Sequence, residues 1–102
     1  MMTTAKIDYQ QNAIHVAGEL NFTTAVSLWK ESLSRLPAYT ALHFDLADVS
    51  ASNSGGVALL LEWMKYAKQQ NKPIHFNHIP ASLLSILSVS GVASMLDGSV
   101  LS

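Results

Sequence analysis

A serine flanked by an asparagine and two glycines, Asn53-Ser54-Gly55-Gly56, is where residue types and spacing in this chain point to chemistry. Asn53 and Ser54 both belong to the types that cap helices, because a short side-chain oxygen accepts from the free N–H groups of a first turn. The glycines let a partner approach closely, and unpaired N–H groups beside a positive helix end suit a negative group. A phosphate on Ser54 would place about two negative charges where the helix dipole tolerates them best, which makes Ser54 a candidate phosphoacceptor. The plainer alternative is that Ser54 serves only as a cap.

Elsewhere the chemical constellations are incomplete. His15, His43, His75 and His78 are not arranged as HExxH and have no cysteine to pair with, so no metal site is expected. Asp45 and Asp48 lie near the central loop and could serve acid–base work or hold a cation, but two carboxylates without a nucleophile or base do not make a mechanism. Gly55-Gly56 lacks the lysine of a phosphate-binding loop, so no nucleotide cofactor is expected. No histidine or lysine lies close in sequence to activate Ser54, although His75 or His78 could approach in the fold. The chain reads as a protein without catalytic residues.

The elements that must position Ser54 follow from periodicity. Leu42, Phe44 and Leu46 alternate with polar residues as a half-buried strand does, and Ser50 to Ser54 read as a loop. From Val57 the period becomes helical, with Val57, Leu60, Leu61 and Met64 on a stripe expected to face a sheet. Leu59, Trp63 and Tyr66 form a second apolar stripe beside Glu62. A helix apolar on both sides is either buried twice or exposes a contact surface, and both readings stand. On the second, Asn53, Ser54, Gly55, Gly56, Leu59, Glu62, Trp63 and Tyr66 bind a partner.

Upstream, Lys6–Tyr9 and Ala13–Ala17 alternate around Gln10-Gln11-Asn12 and predict a hairpin. Thr23 or Thr24 is expected to cap a helix carrying Val26, Trp29, Leu33 and Leu36 inward, stopped by Pro37. Downstream, Pro73–Asn77 reads as a fourth strand, parallel to the third through a right-handed crossover. Pro80 opens a last helix with Leu83, Leu84 and Leu87 as its stripe and Ser90-Gly91 as its end. Val92–Leu96 reads as a short apolar turn closed by Asp97-Gly98. The order β-β-α-β-α-β-α predicts one α/β domain over residues 1–102, with a four-stranded mixed sheet.

Composition sets the outer bounds. At 102 residues and 49% hydrophobic content, the chain can bury a single core and is not a disordered tail. Six basic and seven acidic residues leave a net charge of -1, so no nucleic-acid or anionic-membrane footprint is visible. The absence of cysteine fits a reducing compartment. There is no apolar run of signal-peptide or membrane-spanning length, so a cytoplasmic protein without membrane insertion is expected.

Taken together, Gly18-Glu19-Leu20, Asp45-Leu46 and Ser52-Asn53-Ser54-Gly55-Gly56-Val57-Ala58-Leu59-Leu60-Leu61 resemble a STAS domain, the family of anti-sigma-factor antagonists. The likeness covers nearly the whole chain. In it Ser54 matches the hydroxyl residue that accepts phosphate in the antagonists, and Gly55 and Gly56 match the glycines. Asn53 stands where an aspartate is usual, which keeps hydrogen bonding and removes a charge. The Gly-Gly pair with Ala58–Leu61, and Leu28-Trp29, are similar to the small single-domain STAS subunits of Mla-type phospholipid transporters. That resemblance implies a partner, an ABC transporter ATPase, in a complex moving phospholipid between bacterial membranes. An antagonist switched at Ser54, or a binder of lipid or another small molecule between the apolar helices, are the alternatives.

Overall fold

Side-chain alternation decides the layering. The computed structural model describes residues 5–90, in which β1 (Ala5–Tyr9), β2 (Ile14–Leu20), β3 (Leu42–Ser52) and β4 (Ile74–Asn77) form one sheet in the order β1-β2-β3-β4. β1 and β2 are an antiparallel hairpin, and β2–β3 and β3–β4 are parallel pairs. α1 (Phe22–Ser32) and α2 (Ser54–Gln69) are the crossovers, and α3 (Ala81–Ser90) follows β4. Ile14, Val16, Leu42, Phe44, Leu46, Ile74 and Phe76 are buried beneath the helices. Lys6, Asp8, His43, His75 and Asn77 alternate with the inward residues and are exposed on the other face. The order and mixed pairing agree with the sequence reading. The expected turn at Val92–Leu96 lies outside the described residues.

Four elements differ from expectation. β3 runs on to Ser52, through residues read as loop, because its second half pairs with Ala17–Leu20 of β2. It holds two more residues than β2 over the paired stretch: Asp45 to Asp48 spans what His15 to Ala17 spans, and Val49 to Ala51 what Gly18 to Glu19 spans. These are bulges in β3. α1 is rotated relative to the expected stripe. Thr24, Ala25, Leu28 and Ser32 are its buried residues, whereas Val26 is 53% and Leu33 44% exposed. Leu36 lies beyond α1 in a short 3-10 turn, Leu36–Ala38, and is fully buried. In α3, Leu83 is buried as expected and Leu84 is 41% exposed.

The largest correction falls on α2. Leu59 and Trp63, on the second stripe read as either a partner surface or a buried face, are 2% and 0% accessible. The Trp63 ring stacks on Phe44 with centroids 4.2 Å apart, and its Nε1–H donates to Ser32 Oγ at 3.0 Å. Of the alternatives for a doubly apolar helix, burial on both sides is the one realised here, with α1 and α3 flanking α2 and β3 beneath it. Leu61 and Met64, expected to face the sheet, are only half-buried, as is Tyr66.

Trp63→Ala should therefore destabilise the fold by about 3–5 kcal/mol, the range for truncating a large buried aromatic residue. Urea unfolding checks it. A midpoint indistinguishable from wild type would contradict the core position.

Candidate functional site

Two helix N-termini meet beside Ser54. Asn53 is extended and caps α2, its Oδ1 accepting the Gly55 N–H at 2.7 Å. The Asn53 N–H donates to the Leu20 carbonyl at 3.0 Å, which fixes the start of α2 against the end of β2. Ser54 is the first residue of α2 and exposed, and its hydroxyl has no hydrogen-bond partner among the described residues. Capping thus belongs to Asn53, and Ser54 is left free for another role. α1 is capped by Asn21 through a reciprocal box: Thr24 N–H donates to Asn21 Oδ1 and Asn21 N–H to Thr24 Oγ1, each at 2.9 Å. Thr24 was one of two expected caps, but it occupies the third helical position instead.

Gly55 explains how the two helices come so close. A Cβ there would meet the Phe22 nitrogen and lie 2.5 Å from the Asn21 carbonyl carbon, both backbone atoms that cannot swing aside. At Gly56 a Cβ would meet the Ser52 hydroxyl and lie 3.2 Å from Leu20 Cβ. Backbone-to-backbone contact between the first turns brings α1 residues to Ser54's side. Phe22 is 60% exposed, and with Val26 and Leu33 it forms an apolar strip at helical spacing. Between this strip and α2 runs a groove of about 140 Å³, lined by Phe22, Ala25, Val26, Trp29, Ala58, Leu59 and Glu62.

Of the residues expected to bind a partner, Asn53, Ser54 and Gly55 thus gather at the helix starts, and Leu59 and Glu62 line the groove. Trp63 does not join them. Tyr66 lies outside the groove, its ring 5.5 Å from Lys72 Nζ. Phe22 and Val26 are the residues sequence reasoning missed as surface; their signal was the glycine pair, which announces close packing but does not name what packs.

The acidic residues weighed for acid–base work lie elsewhere. Asp45 projects from β3 on the uncovered sheet face, its Oδ1 3.1 Å from His78 Nδ1 and its Oδ2 3.6 Å from His15 Nδ1. The Ala47 N–H donates to Oδ1 at 2.9 Å, so the carboxylate satisfies a donor at the first bulge. Partial burial pushes the Asp45 carboxyl up, but the Ala47 N–H and the His78 and His15 imidazoles outweigh it and hold the group below its ordinary value. With its two bulges, β3 from Asp45 to Ser52 spans only the length of β2 from His15 to Leu20, roughly 17 Å. His75 and His78, at β4, are on the same distant side, so neither approaches Ser54. Among the described residues no group of three or more ligating side chains is placed to hold a metal.

Comparison with known proteins resolves the family. Residues 3–97 match the family described as "Mlab, STAS domain". The chain belongs to the STAS domain family. At the level of fold, the STAS domain here is similar to the solved structure of RsbS from Moorella thermoacetica carrying a serine-to-glutamate substitution. The TM-score is 0.71 at 17% identity, over 96% of this chain and 85% of that one. No curated protein matches in sequence. STAS domains generally act by binding partner proteins, and no helix among the described residues is long and apolar enough to cross a membrane.

The assignment of the cap can be checked directly on this STAS domain. Asn53→Ala should cost about 1 kcal/mol, whereas Ser54→Ala should stay within about 0.5 kcal/mol of wild type. Equal losses in urea unfolding would return the capping role to Ser54. For Asp45 the folded carboxyl lies below its unfolded value, so its contribution is complete above the unfolded pKa and is lost as pH falls through the folded one. Asp45→Asn should therefore destabilise most above about pH 5, with the difference closing below about pH 4. Unfolding midpoints of both proteins across that range test the sign.

Proposed function

We propose that this STAS domain is a non-catalytic subunit that binds the ATPase of an Mla-type ABC transporter and regulates or stabilises it. The complex would stand on the cytoplasmic side of the inner membrane and move phospholipid to maintain outer-membrane lipid asymmetry. The observation that carries the reading is the apolar strip of Phe22, Val26 and Leu33, exposed and continuous through Phe22 with the Ser54 turn. Clustered exposed hydrophobic residues mark contact surfaces, and membership of a family described by its Mlab branch supports the kind of partner. Regulation then needs no reaction within the domain: a subunit that prefers one state of an ATPase shifts its equilibrium by the difference in affinity.

Groove size argues against the reading as a lipid or small-molecule binder. At about 140 Å³ it accepts one large apolar side chain, whereas small-molecule sites usually exceed about 300 Å³. The larger cavity, about 380 Å³, is lined by the β1–β2 turn and Tyr39 to Ala41 with His43, away from the apolar helices. A second reading, an anti-sigma-factor antagonist switched by phosphorylation, is favoured by the exposed and unbonded Ser54 hydroxyl at a helix N-terminus.

Purification of the protein with its native membranes should recover an ATPase, and a kinase-like anti-sigma factor in its place would select the second reading. Val26→Glu should weaken partner binding by about 2 kcal/mol or more, as at a buried interface position, without moving the urea midpoint, because Val26 is 53% exposed. Ser54→Glu should weaken binding more than Ser54→Ala, since a carboxylate buried without a paired base carries a desolvation cost. Affinity unchanged by Val26→Glu and Ser54→Glu alike would remove this face from the interface. ATP hydrolysis by the recovered partner, with and without the domain, separates regulation from passive attachment.

A further inference from the structure

The sheet face that carries no helix gathers histidines. His15 and His78 are committed to Asp45. His43 and His75 are not: they stand directly opposite one another in the parallel register of β3 and β4, both exposed. Their ring centroids are 5.3 Å apart and their planes lie within 8° of parallel. Neither imidazole hydrogen-bonds to any of the described residues.

We propose that His43 and His75 form a two-imidazole chelate for a divalent transition ion of the class that favours nitrogen ligands, Zn²⁺, Cu²⁺ or Ni²⁺. Imidazole suits these ions, whereas Mg²⁺ and Ca²⁺ take oxygen ligands. The two Cα positions are fixed by paired strands, so binding orders only side-chain torsions. Zn–N bonds of about 2.0–2.1 Å require the ligating nitrogens to converge on one point. Rotation about each Cβ–Cγ bond, a broad torsion, accomplishes that for rings standing in solvent. Asp45 stands one row along on β3 but is occupied by His15, His78 and the Ala47 N–H. Water therefore fills the other coordination positions, and the ion exchanges readily. The site is independent of the docking face, since β4 pairs only with Leu42–Asp45 at the opposite end of β3 from Ser54.

Titration of the untagged full chain with zinc sulfate, followed by calorimetry and by the imidazole resonances in NMR, tests the chelate. Saturable uptake of one ion per chain is expected, with the His43 and His75 resonances moving and those of His15 and His78 staying in place. His43→Asn or His75→Asn should each weaken uptake at least about tenfold, His15→Asn should not, and magnesium should not compete. The NMR spectrum also reports whether each variant is folded. Absence of saturable uptake, or uptake that persists in the His43→Asn/His75→Asn double variant, would overturn the proposal.

Discussion

A buried indole must give its N–H to an acceptor, and in this fold the acceptor is Ser32, on a different helix. Leaving that donor unpaired would cost about 1–3 kcal/mol. Ser32 itself donates to the Trp29 carbonyl at 2.8 Å, so its oxygen is held where Trp63 needs it. The bond fixes the rotation of α1 about its axis. Once Ser32 faces α2, Ala25 and Leu28 face inward with it, and Val26 and Leu33 are turned out. The exposed strip beside Ser54 is thus a consequence of how one core side chain is satisfied.

The same bond explains where sequence reading stops. Element order was legible because hydrophobic period switches cleanly between two and 3.6 at Val57 and at Ile74. The rotation of α1 was not, because its buried stripe contains Thr24 and Ser32, while two aliphatic residues lie outside. Both polar residues are buried at little cost since each is hydrogen-bonded. A periodicity argument counts them as surface. On α2 the apolar residues nearly surround the helix, so composition could not say which side is covered. The Asn53-Ser54-Gly55-Gly56 segment was legible as a helix start, but which residue caps it and what touches Gly55 depend on contacts far apart in sequence.

The arrangement places the candidate site at the carboxyl ends of two parallel strands, where β2 and β3 give way to α1 and α2. Open α/β sheets characteristically use this position for binding. Here two helix starts lie side by side, and neither first turn contains an acidic residue. Within those turns no carboxylate offsets their positive ends. An apolar strip beside an unbalanced positive edge combines contact area with a preference for a partner that brings negative charge.

The two bulges of β3 have a bearing on which changes of length the chain can accept. Inward residues fall at Leu42, Phe44 and Leu46, then at Val49, so the first extra residue reverses the odd–even parity of the strand. The second extra residue reverses it again before Ser52. A single insertion or deletion in a strand ordinarily turns its buried face outward; here a pair of them cancels. Losing either bulge alone would misdirect all that follows, turning Asn53 away from Leu20 and the start of α2 away from α1. Indels in β3 are consequently acceptable only in compensating pairs, a restriction on the strand's length stricter than any on the identity of its exposed side chains.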